Sequence, residues 1–347
     1  MYIKKILLAI VLIGLVVAAF FANYVYSAMF KSNTAFNNET AYVYIPTRAS
    51  YQDVREQLKP LLNDIETFDA LAERKQYTTH IKAGKFSITK GMNNNDIINS
   101  IRINSLPIQV AFNNQESIEK LAGRISSQIE ADSLSLKVAM QDSLFISTNG
   151  FNKATMSGMY IPNSYEFFWN TSGEEFRDRM LIEYNRFWND SRKAKAKALG
   201  LTQNEVITLA SIVHEESKAA AEQPRIAGVY LNRLKVGMPL QADPTLKFAA
   251  YQLPEYQDTV IKRVLDKHKT IVSPYNTYLN SGLPPGPIAM ADLTAINAVL
   301  NAENHDYYYF AADAKRLGYH NFAKNLSQHN ANARAYHSYL NSQGIKQ

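Results

Sequence analysis

Residues 6–22 are an unbroken run of seventeen apolar or small residues, and Tyr24, Val25, Tyr26, Ala28, Met29 and Phe30 extend it to Lys31. Backbone inside hydrocarbon must satisfy its own hydrogen bonds, which confines such a run to a helix. It is long enough to cross a bilayer, with Tyr24 and Tyr26 at headgroup level. Lys4 and Lys5 predict residues 1–5 as a cytoplasmic tail, residues 6–30 as a transmembrane anchor, and everything beyond Lys31 as extracytoplasmic. The expected location is the cell (inner) membrane, single-pass, with a periplasmic or otherwise external main body. A cleaved signal peptide is the rival. Its apolar core is usually shorter, and Phe20, Phe21, Tyr24 and Tyr26 leave no clear small-x-small cleavage site. The absence of cysteine excludes a lipoprotein, disulfides and thiolate metal sites.

A chain of 347 residues suggests about two domains. Residues 31–40, polar and Asn-rich, predict a linker. Residues 41–105 predict a small βααβ-like module, beginning with a strand over 42–45 that Pro46 stops. A helix capped by Ser50 follows, with Val54, Leu58, Leu61 and Leu62 on one face, then a helix over 68–77 and a strand over 84–88. Ile97, Ile98 and Ile101 mark a further helical face. Residues 106–347 predict a larger mixed α/β domain, so the fold class is α+β.

Within that domain, 108–112 reads as a strand and 117–129 as a helix, while 156–170 combines turn residues with aromatics. Ser172 and Glu175 form a capping box opening a helix that runs into the basic stretch 191–199, and Gly200 stops it. Pro224 opens a buried helix ending at Gly237. The loops expected at 240–245, 273–288 and 318–322 are rich in polar and ring side chains, as sites often are. The 21 tyrosines and 16 phenylalanines suit carbohydrate surfaces as well as a core. Formal charge is +6, but without Lys4, Lys5 and Lys31 the balance is 34 basic against 31 acidic groups, with no basic stripe. Nucleic acid is not an expected partner.

Residues 202–218 (TQNEVITLASIVHEESK) predict the central helix, opened by a Thr202–Glu205 capping box. Val206, Leu209, Ile212 and Val213 share a face. Glu216 falls on that face, whereas Glu215 points roughly 120° away from Leu209. A carboxylate there is costly to ionise, so its pKa should rise toward that of a general acid. The same position is equally well explained as the end of an apolar stripe fraying into solvent. Other chemistries fit poorly. Lys218 stands where a zincin needs its second histidine after His214, and His320 and His329, nine apart, cannot share one helix face. No G-x-S-x-G elbow, P-loop or dinucleotide fingerprint occurs.

A raised carboxylic acid flanked by Tyr, Asn, Gln and Thr suits glycan cleavage, where a neutral acid protonates the glycosidic oxygen. Hydrolysis needs a second carboxylate, and Asp243 is the best candidate, although Asp-Pro forms turns wherever it occurs. A lytic transglycosylase avoids that need, because the 6-hydroxyl of the muramic acid attacks its own C1.

LASIVHEES (209–217), IAGVYLNRLKVGMPLQADPT (226–245), SPYNTYLNSGLPPGPI (273–288) and YYFAADAKRLGYHNFAKNLSQHN (308–330) together resemble the MltG (YceG-like) endolytic murein transglycosylases. The family's acid falls on Glu216, with His214 where many members carry Glu. Upstream, Ser157-Gly158 and the Pro162–Tyr165 turn depart from the family pattern. The resemblance implies internal cleavage of the MurNAc-GlcNAc bond in nascent peptidoglycan glycan strands, leaving 1,6-anhydro-MurNAc ends and so ending elongation. It implies a LysM-like module over 41–105, a YceG-like catalytic domain over 106–347, peptidoglycan synthases as partners, and no metal or organic cofactor. Glu216 would be acid and then base. Gln241, Asp243, Thr245, Tyr275, Asn276, Thr277, Tyr278 and His320 are the substrate-groove candidates. Two other readings stay open: a muramidase using Glu216 and Asp243, and a non-catalytic, membrane-anchored peptidoglycan-binding scaffold.

Overall fold

The computed structural model describes residues 2–257, 259–261 and 264–342, and the chain divides into two compact units. Met1, the first residue of the expected tail, lies outside the described residues.

The first unit holds the residues up to Val110 with Gln128–Ala131 and Tyr165–Thr171. It begins with α1 (Tyr2–Phe30), 29 residues that include the positions expected as a tail. At 1.5 Å per residue α1 is about 43 Å long, more than the hydrocarbon thickness of a bilayer. It is the one helix among the described residues long and apolar enough to span a membrane, and its apolar side chains are exposed until Ala28. β1 (Thr40–Ile45), α2 (Tyr51–Leu58), α3 (Ile65–Arg74), β2 (Gly84–Thr89) and α4 (Asn94–Ile103) follow. β1 and β2 pair antiparallel, with Val43 opposite Phe86 and Ile45 opposite Gly84. Alternation along each strand turns Val43, Ile45, Phe86 and Ile88 into the core, where Val54, Leu58, Phe68, Leu71, Ile97, Ile98 and Ile101 meet them. A reciprocal Ser50–Asp53 box caps α2, and Asp64 caps α3 through the N–H groups of Glu66 and Thr67.

Residues 31–40, expected as a linker, are tied down instead. Asn33 is buried, and its amide donates to Asp64 O and Asn94 Oδ1, both at 2.7 Å. Ala35 N donates to Leu61 O at 2.8 Å. Asn94 Nδ2 in turn donates at 2.9 Å to Ala28 O, one of the carbonyls that the end of α1 leaves without a helical partner.

The chain leaves this unit along β3 (Pro107–Phe112) and returns along its sheet partner β4 (Asn163–Phe168). Over 156–170, where turn residues and aromatics mix, Met156–Met159 coil, Asn163–Phe168 extend as β4, and Trp169 and Asn170 turn. The second unit contains the remaining elements: α5 (Ile118–Ser126), α6 (Ser133–Met140), α7 (Ser143–Thr148), α8 (Gly173–Phe187), α9 (Asp190–Ala198), α10 (Gln203–Glu216), α11 (Gln223–Lys235), α12 (Asp243–Tyr251), α13 (Asp266–Lys269), α14 (Leu293–Leu300), β5 (Tyr309–Ala312), β6 (His320–Ala323) and α15 (Leu326–Ser342). α8 does not run on into the basic stretch. Buried Trp188 leaves the helix, and Asn189 caps α9 by accepting from Arg192 N. Two expected loops are also regular structure. Pro244 sits in the first turn of α12, and β6 pairs with β5, placing Phe322 opposite Phe310. α10 packs against α9, α11, α12 and α14 at the centre of the unit.

Candidate active site

α10 opens as its sequence dictates: Thr202 Oγ1 accepts from Glu205 N at 3.2 Å, and Glu205 Oε2 accepts from Thr202 N at 2.7 Å. Burial then runs all round from Val206 to His214, so the helix is embedded and not striped. It ends at Glu216, two residues before the expected end, because Ser217 is extended at φ −144° and ψ 129°. His214, Glu215 and Glu216 step round the last turn and line three different cavities.

Glu216 lines a cavity of about 330 Å³ with Tyr230 and Arg233 of α11, Gln241, Asp243, Tyr278, Tyr309, Phe310 and His329. Its carboxylate Oε1 accepts from the Tyr230 hydroxyl at 2.7 Å. Burial pushes the Glu216 pKa up to about 7, from an ordinary 4.5. The Tyr230 hydrogen bond opposes that rise, the nearby Asp243 charge adds to it, and Arg233 and Lys247 pull it down. The partial negative charge at the end of α10 acts in the same direction as burial. Tyr230 and Arg233 lie three apart on α11 and so share a face. The buried guanidinium donates to carbonyls, Nε to Tyr308 O at 2.6 Å and Nη1 to Leu240 O at 2.7 Å and Pro239 O at 3.3 Å, and lies 5.2 Å over the Tyr309 ring.

Asp243, the first residue of α12, accepts from the Tyr278 hydroxyl at 2.7 Å. Gln241 has a left-handed backbone, φ 47°, unusual for a residue with a side chain, and its N–H donates to Thr277 O at 3.0 Å. The structure thus brings Glu216, Gln241, Asp243 and Tyr278 to one cavity. Among the described residues, the other five candidates do not line it. Thr277 Oγ1 accepts from Ala242 N at 3.0 Å and meets Thr245 Oγ1 at 2.8 Å. Asn276 donates to Lys269 O and Ile271 O and accepts from Tyr278 N at 2.9 Å. Tyr275 packs its ring 4.6 Å from that of Phe248. Thr277, Thr245 and Tyr275 bind the 273–280 loop to α12, and Asn276 ties it to the end of α13, which together aim Tyr278 and Asp243. His320 serves elsewhere, since its N–H and Nδ1 both lie 2.8 Å from the carboxylate of buried Glu222.

On the opposite side, His214 Nδ1 lies 3.1 Å from Asp292 Oδ2. Burial pushes Asp292 up. The His214 contact, the Ala295 N–H and the Thr294 hydroxyl outweigh it and hold the carboxyl well below the usual range. Glu215 is exposed and pairs with Lys218 at 3.2 Å. Among the described residues no three His, Asp or Glu side chains gather as a metal site. Tyr230, Arg233 and Tyr309 are not among the candidates that the sequence offers, and His329 enters there only as half of a metal pair. The signal available was a hydroxyl and a guanidinium inside a helix buried nearly all round, which must each find partners.

Known proteins are similar to this chain along most of its length. A protein from Bacillus subtilis (strain 168) named endolytic murein transglycosylase is 29% identical over 333 residues, covering 88% of this chain and 87% of its own. One of the same name from Streptococcus pneumoniae serotype 2 is 27% identical over 321 residues, covering 84% of this chain and 57% of its own. A crystal structure of a YceG-like protein from Listeria monocytogenes superposes with a TM-score of 0.56 at 25% identity, covering 85% of this chain and 99% of that one. The sequence profile of the YceG-like family matches residues 43–335, well over half the chain, and the chain belongs to that family.

Proposed function

We propose that this chain is an endolytic peptidoglycan lytic transglycosylase that cleaves the MurNAc-GlcNAc bond of nascent strands and leaves 1,6-anhydro-MurNAc ends. The observation that carries the reading is Glu216, whose carboxyl burial pushes up to about 7, held by Tyr230 in a cavity that Gln241, Asp243 and Tyr278 also line. Glu216 gives its proton to the glycosidic oxygen as the C1–O bond breaks, and that oxygen departs as the 4-hydroxyl of GlcNAc. The carboxylate then takes the proton of the muramic 6-hydroxyl as O6 bonds to C1. The acid is restored and no water is consumed. Positive charge developing at C1 is stabilised by the Asp243 carboxylate, which Tyr278 orients. Gln241, Asp243 and Tyr278 face the glycan in this scheme, while Thr245, Tyr275, Asn276, Thr277 and His320 hold the frame. The names of the relatives support the reaction class.

α1 serves as a single-pass anchor with its N-terminus cytoplasmic, which puts cleavage beside the membrane where strands emerge. Cutting there would end elongation and bring the protein near peptidoglycan synthases. The order β1–α2–α3–β2 with antiparallel pairing supports a LysM-like reading of the first unit.

Asp243 in the same cavity favours the muramidase as the second reading. Mass spectrometry of peptidoglycan treated with the detergent-solubilised chain separates the two. Anhydro ends from wild type and none from Glu216→Gln are expected. Reducing ends would mean hydrolysis with Asp243 as base, and bound but uncut glycan would mean a scaffold.

A further inference from the structure

Glu215, Pro244, Lys247, Phe248, Tyr251 and Ile288 line a second cavity of about 340 Å³. It adjoins the Glu216 cavity at two points of the backbone, Glu215–Glu216 and Asp243–Pro244. Lys247 stands four residues after Asp243, on the same face of α12, and its charge is felt at Glu216. The charges of this cavity nearly cancel. Glu116 is paired with Lys120 and Glu215 with Lys218, whereas Lys247 has no hydrogen bond or ion pair among the described residues. What remains is one ammonium without a hydrogen bond or ion pair among the described residues, beside an apolar wall of Phe248, Tyr251 and Ile288.

A muramic residue whose C1 sits at Glu216 carries a lactyl ether on its 3-oxygen, amide-linked to a short peptide with free carboxylates. That peptide must leave the reacting sugar within a few bond lengths of Glu216. An apolar hollow one residue away, with that ammonium, matches its chemistry. We propose that this second cavity receives the peptide borne by the muramic acid at the cut, with Lys247 holding one of its carboxylates, so that peptide-bearing strands are preferred to bare glycan. This rests on the glycan-cleaving reading above for the placement of the sugar.

The test measures equilibrium binding to the full-length Glu216→Gln chain in detergent, which prevents turnover. The ligands are a glycan fragment of defined length with its peptides, and the same fragment after an amidase has removed them. The peptide-bearing form is expected to bind about tenfold tighter. Lys247→Met, which keeps helix propensity, should bring that ratio to about one, and Lys247→Arg should restore most of it. Equal affinity for the two ligands, or a ratio that Lys247→Met leaves in place, would overturn the proposal. Cleavage by the Glu216-intact chain is read separately. A binding preference without cut strands sinks the transglycosylase reading alone, and cut strands without a preference sink this one alone.

Discussion

Tyr230 of α11 donates a 2.7 Å hydrogen bond to Glu216, the last residue of α10. A hydroxyl that donates to a carboxylate favours its ionised form, so Tyr230 restrains the rise that burial imposes. Tyr230→Phe removes that restraint. The alkaline fall of kcat/KM, which needs Glu216 protonated, should move up by about one pH unit. A pH–rate profile checks this, and a limb that stays in place or moves down refutes it.

Neighbouring carboxylates should behave differently. Glu216→Gln keeps the fold and loses activity by at least about 100-fold. Glu215→Gln loses an exposed pair with Lys218 and a longer contact with His214, each worth under about 1 kcal/mol, and keeps most activity. Release of soluble fragments from purified peptidoglycan measures both, and equal losses would defeat the assignment.

Stability should carry the same signature. Because the folded pKa of Glu216 is raised, its protonated form stabilises the fold fully below pH 4.5, and that contribution is lost as pH rises through about 7. Glu216→Gln does not titrate. Relative to wild type, its stability should rise by on the order of 2–3 kcal/mol between pH 4 and pH 8. Denaturant midpoints at the two pH values test this, and a constant difference rules it out.

Asp292 both caps α14, through Ala295 N at 2.8 Å, and faces His214. Asp292→Ala should cost about 1–2 kcal/mol for the cap, with more for a buried imidazole left without its partner. A shift in thermal midpoint reads it out. No shift would show that the cap is dispensable.

Truncation should be sensitive to a few residues. A chain starting at residue 32 loses the Ala28 carbonyl that Asn94 uses, whereas one starting at residue 27 keeps it. The longer fragment should be more stable by about 1–3 kcal/mol, and both should be soluble without detergent. Equal stability would mean that Asn94 finds another partner.

That Glu216 and Glu215 face different ways was legible because helical angle depends only on spacing, and the capping box at Thr202 marked where the helix starts. Its cavity partners were not. Tyr230 and Arg233 lie on a helix that reads as buried, and their polar ends meet groups from other elements. Asn276, Thr277 and Thr245 looked like a sugar-binding surface because buried loop backbone recruits the same residue types to satisfy its own polar groups. Asp243-Pro244 read as a turn, though proline opens helices equally well. His320 finds Glu222 across 98 residues, and Asn33 finds Asn94 across 61. Pairings that distant leave no local pattern.

The Asn94–Ala28 bond has a mechanical consequence. A free linker of ten residues would let its load wander by roughly 17 Å. Here the helix end is clamped, so a lean of α1 carries the β1–β2 sheet with it. The first unit is a mast head, not a buoy.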